Sequence, residues 1–253
     1  MTRRLLRSAL LLVLAVLAAA CQLRTTVTVD VADDGSGTVE VAVGLDAEAV
    51  ERLPDLDGDG TGGPGDLAAL VRDDDLVAAG WTVDEPRADD DGTLWLRIAH
   101  AFGTVDEAER IMASLTGPEG PLRDLHVTRD ESFGRTTYGF SGTADLSGGL
   151  EAFGDAGLAE ALDGEPLGED AAAIEARLGR PLAEAITFEV VAELPAGGQT
   201  WTPRLGEEPV AMETEGTAYD WPVFALAAVA ASSLVALVVV LATRALRSRR
   251  RDA

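Results

Sequence analysis

The stretch RTTVTVDVADDGSGTVEVAVGL, from Arg24 to Leu45, decides how the chain is read. Val27, Val29 and Val31 alternate with Thr26, Thr28 and Asp30, and Val39, Val41, Val43 and Leu45 repeat the pattern. A period of two places the valines on one face of a strand, and Asp33-Asp34-Gly35-Ser36-Gly37 supplies the turn between two such strands. The segment is a β-hairpin with one apolar face, so its partners must come from elsewhere in the chain. On its C-terminal side, Asp46 is placed to cap a short helix in which Ala47, Val50 and Leu53 share a face.

Working outward, an acidic glycine-rich loop spans residues 54–66, and Leu67, Leu70 and Val71 mark a second helical stretch ending near Gly80. Trp81–Val83 and Leu94–Ala101 read as a strand pair turning at Asp89-Asp90-Asp91-Gly92, with Leu94, Leu96 and Ile98 on one face. Thr104 and Glu107 form a capping box, opening a helix whose stripe is Val105, Ala108, Ile111, Met112 and Leu115. Leu125–Arg129 and Thr136–Ser141 follow as another antiparallel pair. Residues 148–181 are rich in Ala and acids, and Leu167, Ala171, Ile174 and Leu178 recur at helical spacing. Ile186, Phe188 and Val190 alternate with Thr187, Glu189 and Val191 in the strongest strand. Thr200–Pro203 and Pro209–Thr214 then read as a hairpin turning at Leu205-Gly206-Glu207. Hairpins interleaved with helices give an α+β domain with a mainly antiparallel sheet.

The two ends carry targeting signals. Residues 1–20 have the form of a signal peptide: Arg3, Arg4 and Arg7, then the apolar run Leu10–Leu17, then Ala18, Ala19 and Ala20 ahead of Cys21. Cys21 is the only cysteine, and its place resembles a lipobox, in which the thiol takes a diacylglyceryl group; the departure is Ala18 where Leu is preferred. Residues 219–243 read as a transmembrane helix. Val223–Ala242 contains no charge, and ~1.5 Å per residue carries it across a bilayer core of ~30 Å. Tyr219 and Trp221 stand at its edge, and Arg244, Arg247, Arg249, Arg250 and Arg251 in the tail at 244–253 set the C-terminus in the cytoplasm. Residues 21–218 are then an ectodomain, tethered at both ends to the cell membrane.

Charge narrows the function classes. The chain of 253 residues has 44 Asp and Glu against 20 basic residues, a net charge of −24. Residues 22–218 hold 12 Arg and 42 acids, or −30. Such a surface excludes nucleic acid as a partner. One Cys and two His exclude a disulfide framework and a Cys/His zinc site.

Asp55, Asp57, Asp59, Thr61 and Asp66 match the spacing of a calcium loop, since carboxylates at alternate positions converge on one hard cation and Gly60 permits the turn. Gly62 at the eighth position, where an apolar residue normally anchors such a loop, and the run Gly63-Pro64-Gly65 fit a solvated Asp/Gly linker better than a calcium loop. Catalysis finds little support. Gly139-Phe140-Ser141-Gly142 brings its second Gly one place too early for a nucleophile elbow. His100 and His126 fall in strand patterns as structural or surface residues, and no Lys follows any glycine-rich stretch. No enzyme is expected.

Several of these stretches together resemble the LppM-like lipoproteins of actinobacteria. They are the lipobox Cys21 opening a Val/Thr hairpin, Gly80-Trp81, and Phe102-Gly103-Thr104-Val105-Asp106-Glu107 before a helix. The others are Trp201-Thr202-Pro203 reaching Gly206-Glu207, and a C-terminal span with an Arg tail. The acidic insertion at 54–66 and the strong negative charge depart from that pattern. The resemblance implies a helix-grip-like domain akin to SRPBCC lipid-binding folds, with an apolar cavity. It further implies binding of envelope glycolipids, which in mycobacterial members are phosphatidylinositol mannosides. On that reading Leu94, Leu96, Ile98, Ile186, Phe188 and Val190 line the cavity and helices at 104–115 and 167–178 close it. The alternative is a structural or regulatory subunit of another membrane or envelope protein.

Overall fold

A computed structural model describes residues 22–50, 73–116, 120–149, 175–176 and 179–249. The signal segment, Cys21, Leu53, the loop at 54–66, Leu67–Val71 and the helical run marked by Leu167, Ala171, Ile174 and Leu178 lie outside the described residues.

The opening hairpin forms as its alternation requires. β1 (Leu23–Val31) and β2 (Gly37–Leu45) pair antiparallel, with Val27 opposite Val41 and Val29 opposite Val39. The turn is locked by Asp34, whose carboxylate accepts from the Ser36 N–H at 3.0 Å and its hydroxyl at 2.6 Å. These two bonds hold the Asp34 carboxyl below its ordinary pKa. Asp46 caps α1 (Ala47–Val50) through the Ala49 N–H at 2.8 Å.

α2 (Asp73–Ala78) leads to two short strands, β3 (Thr82–Val83) and β4 (Arg87–Ala88), and then to β5 (Leu94–Phe102). Both short strands pair with β5; β3 falls within the expected Trp81–Val83, and β4 is an addition to it. The capping box works: the Glu107 N–H donates to Thr104 Oγ1 at 3.3 Å, while the Glu107 carboxylate accepts from the Gly103 N–H at 2.8 Å. It opens α3 (Val105–Thr116), which buries Ala108, Ile111 and Met112. β6 (Leu122–Ser132) and β7 (Arg135–Ala144) form the next hairpin. After α4 (Leu182–Ala185) come β8 (Ile186–Leu194), β9 (Gly197–Trp201), β10 (Val210–Tyr219) and the long α5 (Trp221–Arg249).

Two sheets result. Seven strands form one, in the order β3-β5-β2-β1-β8-β9 with β4 also on β5, and β10-β7-β6 form the other. Every pairing is antiparallel except β1 with β8, which run parallel with Val27 opposite Val190. The apolar face of the larger sheet (Val29, Val39, Phe188, Val190) packs in one core with α3 (Ala108, Met112) and with the smaller sheet (Tyr138, Phe140, Met212). The fold is α+β, as expected.

Two expectations need correction. Thr200–Pro203 and Pro209–Thr214 do not pair with each other. The chain does turn at Leu205 and Gly206, but β9 returns along β8, with Trp201 opposite Val190, and β10 joins β7 in the other sheet. Gly197 and Gly198 punctuate like a loop in sequence, yet they lie in β9 because the sheets approach there. A Cβ on Gly216 would sit 2.6 Å from the Pro195 carbonyl oxygen and 3.1 Å from the Gly197 nitrogen. The second correction concerns the cavity. Phe188 and Val190 are buried core residues, and Leu94 and Leu96 form a smaller cluster with Leu45, Val50 and Val83. α3 lies on the sheet as a gripped helix would, and the smaller sheet joins it in one core with Phe188 and Val190, so those two side chains fill the interior.

The close approach of β9 and β10 generates a prediction. Gly216→Val drives a branched side chain into backbone that cannot yield, and overpacking of this kind costs ~1–3 kcal/mol or more. Thermal unfolding should show a lower Tm for this variant, whereas Gly92→Ala, which meets no atom within 4 Å, should lose only what its φ of +84° imposes.

Candidate functional site

Leu122 and Val127 are both buried on β6, although five residues apart, so the alternation must slip once between them. The slip is a β-bulge. Arg123 lies opposite Thr143 and His126 opposite Ser141, leaving Asp124 and Leu125 against Gly142 alone. Asp124 adopts φ +52°, the left-handed region that Asp tolerates better than most residues. Gly142 makes room for the bulge, since a Cβ there would stand 2.5 Å from Leu125 Cδ2. This gives the glycine of the Gly139–Gly142 run a structural reason.

Beside the bulge, a surface groove of about 620 Å³ lies between α3 and β6. Ala113, Leu122 and Leu125 provide its apolar lining; Asp106, Glu109, Arg110, Arg123, Asp124 and His126 bring charged and polar groups. The groove thus takes two of the 12 Arg in residues 22–218 and nearly balances its own charge within an acidic domain. Glu109 ties helix to strand: its Oε1 accepts from the Val127 N–H at 3.2 Å and lies 3.1 Å from His126 Nδ1. Arg123 is braced from outside the groove, by Asp145 at 3.3 Å and by donation from Nε to the Gly120 carbonyl at 3.1 Å. The Asp145 carboxyl is held below its ordinary pKa by hydrogen bonds from the Ser147 hydroxyl and N–H, with the Arg123 charge adding to them.

A smaller recess of about 350 Å³ occupies the other face of the larger sheet, lined by Asp84, Glu85, Arg87, Trp95 and Arg97. Arg97 stands 5.4 Å over the Trp95 ring and 3.9 Å from Glu40, and Gly44 lets the indole lie flat on the strand. His100 contributes no site. Its Nδ1 is 2.8 Å from the Ala101 carbonyl oxygen and its ring meets Trp81 edge-on at 5.2 Å.

Sequence reasoning thus placed His126 in a strand but missed its groove. The available signal was the odd spacing of Leu122 and Val127, which no continuous strand explains. Cys21 and the calcium-loop residues Asp55, Asp57, Asp59, Thr61 and Asp66 all lie outside the described residues. Among the described residues, no group of three or more His, Cys, Asp or Glu side chains is gathered to hold a metal ion. The apolar helix does form: Trp221–Leu241, 21 residues, is long and apolar enough to cross a membrane, and none of it is buried in the protein.

No family model and no curated protein matches the chain. Among solved structures it is similar to the folded domain of LppM from Mycobacterium tuberculosis, determined by NMR. The identity is 13% and the TM-score 0.34, over 79% of this chain and 91% of that one. The relationship is a distant structural one.

The bulge makes two predictions. Asp124→Gly should leave Tm unchanged or raise it, because glycine adopts φ +52° without penalty, whereas Asp124→Val should destabilise by about 1–2 kcal/mol. Equal melting of the two variants would count against the left-handed bulge. Asp145 predicts a pH dependence of definite sign. A folded pKa lying below the unfolded one stabilises above about pH 4 and loses that contribution as pH falls through the folded value. The Tm difference between the wild type and Asp145→Asn should therefore be present at pH 7 and shrink as the pH falls below the ordinary carboxylate range.

Proposed function

We propose that the protein is a surface lipoprotein of the cell membrane, acylated at Cys21 and crossing the bilayer once, with its C-terminus in the cytoplasm. Its ectodomain binds an apolar or glycolipid envelope ligand in the groove between α3 and β6. The carrying observation is the groove itself. At about 620 Å³ it falls within the ~300–1,000 Å³ of small-molecule sites, and it pairs an apolar lining with a few converging polar groups. Leu122, Leu125 and Ala113 suit hydrocarbon. The carboxylates and guanidinium groups above them suit hydroxyls or a phosphate, as a sugar-bearing lipid presents. No bond is made or broken in this role.

Native mass spectrometry of the protein purified from its own host tests the reading. The wild type should carry a discrete lipid or glycolipid mass. Ala113 is exposed at the groove, so Ala113→Trp fills it without removing a core contact and should reduce that occupancy at least tenfold. Equal occupancy in both proteins would mean that the lipid sits on the apolar helix and would remove the groove from the function. A stoichiometric protein in place of lipid would favour the subunit reading.

A further inference from the structure

β10 runs into the apolar helix with a single intervening residue, Asp220. Asp220 is bound on both sides. Its N–H donates to the Gly134 carbonyl at 2.9 Å, and its carboxylate accepts from the Val223 N–H at 3.3 Å. The start of the helix is therefore fastened to the turn between β6 and β7. That turn consists of Phe133 and Gly134, since Ser132 lies opposite Arg135. Gly134, at φ +69°, leaves space that the Phe224 ring occupies, 2.8 Å from where a Cβ would stand.

Phe133 is the anomaly. Two-residue hairpin turns favour Asn, Asp or Gly, yet here a phenylalanine stands at the tip, 72% exposed, meeting the Phe224 ring edge-on at 6.2 Å. Trp221, 73% exposed, lies 6.3 Å from Tyr219 and 6.0 Å from Phe224. Four aromatic rings from two separate parts of the chain thus form one connected exposed patch where the apolar helix begins. Aromatic rings concentrate at the level of lipid headgroups.

We infer that the β6–β7 turn is a second membrane contact: Phe133 enters the headgroup layer beside Trp221, and the two insertions hold the ectodomain at a fixed angle to the bilayer. The occupant of the patch is the lipid interface, because the patch is continuous with the apolar helix. This inference rests on the reading that Trp221–Leu241 crosses a bilayer, and its test separates the two.

The full chain with Cys21→Ser provides a cysteine-free background. Phe133→Cys, Leu234→Cys and Gly92→Cys, each carrying an environment-sensitive NBD dye, are reconstituted in phosphatidylglycerol/phosphatidylethanolamine vesicles. Circular dichroism confirms an unchanged fold. The dye at 133 should emit to the blue of the dye at 92 and be quenched by phosphatidylcholine bearing a nitroxide near its headgroup. The dye at 234 should be quenched by a nitroxide deep in the chain. Quenching at 234 with a water-like spectrum at 133 would overturn the second contact and leave the span. A water-like spectrum at both positions would overturn both.

Discussion

The parallel pairing of β1 with β8 joins residues that lie more than 160 positions apart, Leu23 with Ile186 through Asp30 with Glu193. Each strand has its other edge taken by a hairpin partner, β2 for one and β9 for the other. Without the parallel contact the protein would be two separate ribbons, each with an apolar face open to water. With it, one continuous face carries Val27, Val29, Val190 and Ala192, broad enough to bury α3 and three further strands. A parallel ladder cannot be closed by a tight turn, so the whole intervening chain must be accommodated in the crossover. The same contact brings Leu23, at the start of β1, and the strands that lead to the apolar helix into one body.

The smaller sheet is held against the larger by contacts at the ends of those strands. Tyr138 donates its hydroxyl hydrogen to the Asp33 carbonyl in the β1–β2 turn, and Arg129 donates to the same oxygen at 3.3 Å. Arg129 lies across Gly35, where a Cβ would be 2.7 Å from its Cδ, and it stacks 5.9 Å over Tyr138 while meeting Glu131 at 2.6 Å. Tyr138 is opposite Gly216, the glycine crowded against Pro195 and Gly197. One row across the smaller sheet, Arg129, Tyr138 and Gly216, therefore receives the β1–β2 and β8–β9 turns of the larger sheet.

What the sequence disclosed follows from which of these forces are local. Alternation in β1, β2, β5 and β8 and the capping box before α3 act within a few residues, and each predicted element formed. Pairing is non-local. Nothing near Trp201 distinguishes β8 from β10 as its partner, and Gly197 and Gly198 lie ahead of Thr200, where the strand was expected to begin. The apolar faces of Leu94 and Phe188 were legible; that another sheet would fill the space before Phe188 was not, because Tyr138 and Phe140 carry no sign of their destination. The groove was hidden for a related reason. A bulge is a break in period, and the strand pattern starting at Leu125 concealed that Leu122 belongs to the same strand in the opposite phase.

The proposed topology constrains the groove. Gln22 is pinned before β1, its N–H donating to Asp46 and its carbonyl oxygen accepting from the Asp46 N–H at 3.2 Å. On the proposed lipidation, Cys21 precedes that pinned residue directly, and at the other end only Asp220 separates sheet from helix. On that proposed topology a domain of −30 that anionic headgroups repel would not drift away on a long tether but would be held where its two ends meet the bilayer. The turn at Phe133 sits at that surface on the reading given above, and His126 lies six residues from Ser132 along β6, at most ~20 Å away at ~3.3 Å per residue. A ligand in the groove would then be out of the hydrocarbon core yet within reach of the headgroups. That geometry suits a module that receives an amphiphile by its polar end, and it explains why the groove gathers Arg110, Arg123 and His126 on a domain otherwise so rich in carboxylates.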